Sequence, residues 1–275
     1  MDIKELKKLS LNVRRDIINM TADAASGHPG GSLSATDILT ALYGCVMNVD
    51  PKNPKMEGRD RFVLSKGHAA PALYGVLGEL GFFDKAEFKN FRQIHSFLQG
   101  HPDCKKCPGV EASTGSLGQG ISIAVGMALG AKAKGTGEQV YTMVGDGEIQ
   151  EGLAWEASMA ASKFKLDNFT VIVDNNGLQI DGSNDEVMPL GDLNAKFTAF
   201  GFDVIELKDG NDLEAVIEAL KAPHKEGVPK CIIAHTVKGK GVSFMENQVG
   251  WHGKAPNQEE REIALAELDK AMEEL

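Results

Sequence analysis

No run of lysine or arginine exceeds two residues in this 275-residue chain, and 29 Lys and Arg face 39 Asp and Glu, a net charge of −10. An acidic chain without a basic stripe offers little to a phosphate backbone, so nucleic acid is not expected as a partner. Cysteine is scarce: Cys45, Cys104, Cys107 and Cys231 are too few and too scattered for a disulfide framework in a chain this long. Long apolar runs are lacking too. Ile121 to Ala131 is too short and too glycine-rich to cross a bilayer, and the charged, helix-periodic start Met-Asp-Ile-Lys-Glu-Leu-Lys-Lys has no apolar signal core. A soluble cytoplasmic protein with no membrane partner is expected. No internal repeat or low-complexity tract interrupts the chain.

What is present is an alternation of helix and strand patterns. Leu6, Leu9, Val13, Ile17 and Met20 recur at helical spacing, so the first helix ends before Gly27; a second is expected from about Ala35 to Met47. Pro51 and Pro54 enforce a loop, and Arg61 to Leu64 is a short strand. Helices follow over Ala69 to Leu80, Lys85 to Gln93 and Gly118 to Lys134, the last rich in small residues suited to close backbone contact. Beyond it come strand 140–144, helix 151–165, strand 169–173, a long loop 174–191, helix 192–199, strand 202–206, helix 211–221 and strand 230–235. Gln258 to Leu275 reads as a charged, peripheral helix. This order predicts an α/β fold, a mostly parallel sheet with helices on both faces, as a single domain over residues 1–275.

The most informative stretch is Gly145-Asp146-Gly147, followed after 27 residues by Asn175-Asn176. Each group directly follows an apolar strand, and the intervening helix makes the unit a βαβ crossover with its strands parallel and close. Asp146 and Asn176 can therefore face one ion from the same sheet edge. Asp and Asn oxygens with a loop carbonyl suit a hard divalent cation that keeps its bond to a phosphate. Gly145 and Gly147 let the backbone approach that phosphate, and Gly147 with its neighbours is expected to open a helix whose amino terminus favours an anion. Cys104-x-x-Cys107 could be half of a zinc site, with His95 and His101 nearby, or a redox pair; a loop coincidence is the default reading.

Five further motifs occur in order: Ser26-Gly27-His28-Pro29-Gly30-Gly31-Ser32, Arg61 through His68, Gly100-His101-Pro102, Ser113 through Gly120, and Trp251-His252-Gly253-Lys254. Together with the Gly-Asp-Gly unit they resemble the amino-terminal half of a transketolase, from Met1 to about Pro256. The resemblance implies the diphosphate-binding domain of a thiamine diphosphate enzyme. It assigns Asp146, Asn176 and the carbonyl of Leu178 to magnesium, or calcium or manganese in its place. It assigns His68, Gly115, Ser116, Leu117, Gly145, Gly147, Glu148, Ile180 and His252 to the cofactor. His28, His101 and His252 would serve the sugar, and Glu151 would lie at a subunit contact near the cofactor. Neutral imidazole suits sugar hydroxyls because it donates from one nitrogen and accepts at the other.

Full-length transketolases carry a pyrimidine-binding and a carboxy-terminal domain, and this sequence ends without them. The expectation is a split transketolase whose C-terminal subunit completes the active site, in an α2β2 heterotetramer that transfers a two-carbon ketol unit between sugar phosphates. Alternatives are the α subunit of a 2-oxo acid dehydrogenase, which has little need for several hydroxyl-reading imidazoles, and a transketolase specialised for an unusual sugar phosphate. Deoxyxylulose phosphate synthase is a nearer relative but carries a Gly-His-Gln motif absent at His68. A non-catalytic derivative of the fold would not need the whole set of Asp146, Asn176 and the four histidines.

Overall fold

The computed structural model describes residues 1–275. The first helix, α1 (Ile3–Asp23), starts at Asp2, whose side chain accepts from Glu5 N while Glu5 reaches back to the Asp2 amide. Leu6, Val13 and Ile17 form its buried stripe. The second helix, α2 (Pro29–Ala41), begins six residues earlier than its sequence suggests and ends in a π-turn over Leu42–Val46. Gly30 serves close packing there: a Cβ on it would lie 2.8 Å from the Trp251 carbonyl. Pro29 sits at the first helical position, where its missing N–H costs nothing.

Strand β1 (Arg61–Leu64) and a 3₁₀ turn lead into α3 (Ala70–Glu79). Lys85–Asn90 is a 3₁₀ segment rather than the expected α-helix, and Arg92 beyond it turns into the left-handed region. The remaining elements are α4 (Gln119–Lys134), β2 (Val140–Gly145), α5 (Gly152–Lys163), β3 (Phe169–Asn175), α6 (Asn184–Val187), α7 (Leu193–Ala199), β4 (Asp203–Leu207), α8 (Leu213–Lys221), β5 (Lys230–His235) and α9 (Gln258–Glu273). The short α6 interrupts the segment expected as loop 174–191. Helix α5 starts only at Gly152; a single 3₁₀ turn, Glu148–Gln150, follows Gly147, so no long helix opens at the Gly-Asp-Gly turn as expected.

All five strands are parallel, in the order β1-β2-β3-β5-β4. Alternation along them separates two apolar layers. Phe62, Leu64, Tyr141, Met143, Ile172 and Ile232 face α1, α2, α3 and α8, whereas Val63, Val144, Val171, Val173 and Ile233 face α4, α5 and α7. The close contact expected of α4 occurs at Gly120, where a Cβ would meet Ser65 Cα at 2.5 Å. Helix α9 packs against α1, burying Ala264 and Leu268, and Arg261 bonds Asn19 and Asp23. No helix is long and apolar enough to cross a membrane.

Candidate active site at the carboxyl edge of the sheet

In a parallel sheet the strand carboxyl ends leave a crevice whose loops are free to carry ligand groups. Here that crevice is a cavity of about 290 Å³ with residues from six parts of the chain in its wall, Gly115 and Leu117 ahead of α4 among them. The end of β2 and the turn after it supply Gly145, Asp146, Gly147 and Glu148; the loop after β3 supplies Asn176, Leu178 and Ile180; the 3₁₀ turn after β1, the start of α2 and the segment after β5 supply His68, His28, Lys238 and His252.

Asp146 is 3% exposed, and its two oxygens accept from Gly147 N at 2.8 Å and Gly177 N at 2.6 Å. The second bond ties the turn after β2 to the loop holding Asn176, which is how residues thirty positions apart come to share one wall. Burial, with the nearby Asp174 carboxylate, raises the Asp146 pKa above the usual carboxylate value despite those two amides. A buried carboxylate so placed is short of positive charge. Lys238 feels that carboxylate: its ammonium donates to the Leu178 carbonyl at 3.1 Å and lies 3.0 Å from His252 Nδ1, and burial lowers its pKa to about 8 although Asp146 opposes the shift.

Three imidazoles form one cluster. The rings of His28 and His68, of His28 and His252, and of His68 and His252 have centroids 5.3, 5.5 and 5.3 Å apart. Burial is the main cause that lowers His28 to about 4 and His252 to about 3, and carries His68 well below its ordinary value. All three are therefore neutral near pH 7, each with one donor and one acceptor.

A layer of buried polar residues supports the cavity wall and contributes Lys66 and Glu148 to it. Lys66 and Asp174, both almost fully buried, form an ion pair. Lys66 Nζ also donates to Gly31 O at 2.7 Å; Asp174 accepts from Ser34 Oγ at 2.6 Å and from the Thr236 hydroxyl. Glu148, 2% exposed, accepts from Ser65 Oγ at 2.5 Å, Gly118 N at 2.9 Å and Gly145 N at 3.0 Å. It lines the cavity, but its oxygens are already engaged in holding three loops together.

The chain has close counterparts among known proteins. Residues 7–271 match the family model described as transketolase, thiamine diphosphate binding domain. This chain belongs to the transketolase family. It is 41% identical over its whole length to a protein of Phocaeicola vulgatus named as one subunit of an apulose-4-phosphate transketolase, covering 98% of that protein. The counterpart of the same name from Actinobacillus succinogenes is 42% identical, with 96% of it covered. The match to these separate transketolase subunits thus runs end to end. Human transketolase is 42% identical over 258 residues, and there the chain spans 40% of the longer protein. The crystal structure of Campylobacter jejuni transketolase superposes with a TM-score of 0.90 at 36% identity, over 98% of this chain and 43% of that one.

Within this transketolase-type fold, the residues singled out from sequence divide into three groups. Asp146, Asn176, Leu178, His28, His68, His252, Gly115, Leu117, Gly145, Gly147, Glu148 and Ile180 line one cavity. His101 lies at its edge, exposed, with its ring where a Cβ on Gly115 would come within 2.9 Å. Ser116 and Glu151 are exposed and outside the wall. Lys66, Asp174 and Lys238 are the residues that sequence reasoning missed. Lys66 lies inside the Arg61–His68 motif and Asp174 immediately before the Asn pair, while Lys238, between β5 and Gly239, carries only a glycine-flanked lysine as its signal. Cys104 is exposed and Cys107 buried, and burial with Asp103 pushes the Cys107 thiol up to about 12. No group of three or more His, Cys, Asp or Glu side chains converges as a metal site. The Asp146 wall falls outside such a count, since it offers one carboxylate, one carboxamide and one carbonyl.

Proposed function

We propose that this chain is the thiamine diphosphate-binding subunit of a two-chain transketolase, paired with a C-terminal subunit in an α2β2 assembly to move a two-carbon ketol unit from a ketose phosphate to an aldose phosphate. The observation that carries the reading is the end-to-end match to proteins named as single transketolase subunits, against 40% coverage of the human enzyme. The sugar-specialised variant has its own support, because those relatives are named for apulose-4-phosphate and for 6-deoxy-6-sulfo-D-fructose.

Thiamine diphosphate, when bound, supplies the nucleophilic carbon and electron sink for carbon–carbon bond cleavage. The chain's own residues hold it and read the substrate. Asp146, Asn176 and the Leu178 carbonyl would hold a magnesium ion beside the diphosphate. The fit rests on an undercompensated buried carboxylate and on a carbonyl that an ammonium already occupies. Hard oxygen donors of this kind, with positions left for phosphate oxygens, are what magnesium takes. Lys238 would then turn its charge toward the diphosphate, and His68 and His252 would contact the same end of the cofactor. His28 and His101 would exchange hydrogen bonds with sugar hydroxyls as neutral rings. Glu151, exposed beside Gly118, would face the partner chain.

The test is cofactor binding and transfer with the two chains combined. Asp146→Ala is expected to weaken thiamine diphosphate binding in magnesium by ~3 kcal/mol, roughly 100-fold, with unchanged circular dichroism. Undiminished affinity in calorimetry removes the metal assignment. Sustained ketol transfer by the wild-type chain alone removes the two-chain reading.

A further inference from the structure

The segment before His101 holds a side chain in a conformation that its type resists. Arg92 has φ +61°, in the left-handed region where a Cβ is costly. Such a residue persists only where its surroundings over-determine it. Its backbone N donates to Leu98 O at 2.8 Å, closing the loop. Its guanidinium passes under Gly100, where a Cβ would lie 2.8 Å from Cζ. Nη1 donates to Ser26 Oγ at 3.0 Å, and Nη2 reaches His28 Nδ1 at 3.5 Å. Nε is buried with no partner.

One planar group thus spans two segments distant in sequence, Ser26–His28 ahead of α2 and Gly100–His101. We propose that Arg92 is a positioning residue, which clamps the His28 segment against the His101 segment and fixes how the two imidazoles meet a substrate. The substrate role of those imidazoles rests on the transketolase reading; the clamp itself does not. A guanidinium can only donate, so the nitrogen of His28 facing it must accept. His28 then carries its proton on Nε2. The charged and titratable groups that face His28 are Arg92, His101 and Lys238, with the rings of His68 and His252 beside it. A neutral replacement at position 92 removes the nearest of the cations.

The experiment is ¹⁵N NMR of the full chain with labelled histidine, the His28 signals being assigned with H28Q. Wild type should show the Nε2–H tautomer. Arg92→Gln should move the His28 titration upward by on the order of one pH unit and mix its tautomers. Arg92→Lys should restore the midpoint only in part, because a point charge lacks the fork. Arg92→Gly accepts the positive φ without strain and keeps the fold available if Gln does not. In the assembled two-chain enzyme, R92Q should raise KM for the ketose about 10-fold while kcat changes less. A folded R92Q or R92G chain whose His28 keeps the wild-type tautomer and midpoint overturns the proposal, as does an unchanged KM. Absence of transfer by the wild-type pair would instead fault the transketolase reading, and the NMR result then decides alone.

Discussion

Asp174 illustrates how a residue outside the cavity wall carries weight through one in it, since its ion-pair partner Lys66 lines the cavity. Burial opposes ionisation of Asp174, but Lys66 with the Ser34 and Thr236 hydroxyls holds its carboxyl below the usual range. A depressed folded value means the pair's stabilisation is complete above the unfolded carboxyl pKa of about 3.9 and is lost as pH falls through the folded value. Asp174→Asn would leave an ammonium buried without its anion. It is expected to cost about 3–5 kcal/mol in urea unfolding at pH 7, with the gap to wild type narrowing below pH 4. A loss under 1 kcal/mol would mean the Lys66 head escapes to water. The same residues show what sequence conceals: Asp174 could be seen as a strand-end carboxylate, but its partners lie 62, 108 and 140 positions away.

Among the elements, the α1–α3 seam contains the clearest departure from comfortable packing. Asp16 on α1 is mostly buried, and its Oδ2 has no partner. Burial raises its pKa to about 8; Lys85 opposes that shift, Glu79 adds to it and Arg15 opposes it. For an acid raised on folding, the folded state binds the proton more tightly, so its contribution is complete below the unfolded value near 3.9 and is lost as pH rises toward 8. Asp16→Asn should therefore stabilise the chain at pH 8 by on the order of 2 kcal/mol and change little at pH 4, read from thermal unfolding at the two pH values. Equal effects at both pH values would contradict the buried carboxyl. Element type was largely legible from periodicity and caps. Boundaries were less so: the helix expected from Ala35 begins at Pro29, and at Gly30 within it a Cβ would crowd the Trp251 carbonyl and Lys238.

For the whole molecule, binding of a cofactor to the folded state alone should raise stability by mass action. At 100 times its dissociation constant, thiamine diphosphate with magnesium should add about 2.7 kcal/mol and several degrees of Tm, and a chelator should remove the gain. The cofactor without magnesium giving the full shift would argue against the Asp146 wall. The buried neutral histidines add an acid limit. His28, His68 and His252 are all lowered by folding, so the stability tied to their neutral forms is present above about pH 6.5 and is lost as pH falls toward their folded values.

Sequence alone determined the alternating elements, the parallel sheet, and the placement of Asp146 and Asn176 at neighbouring strand ends, because a βαβ crossover leaves two successive strand ends only one strand-spacing apart. It also marked the histidines, though as members of separate motifs. Only the tertiary structure decided that three of them form a single neutral cluster, that Lys238 stands against the Leu178 carbonyl, and that Arg92 spans two loops. Those outcomes depend on burial and on contacts between residues far apart in the chain, and desolvation is a property of the packed cavity that no local pattern of residues encodes.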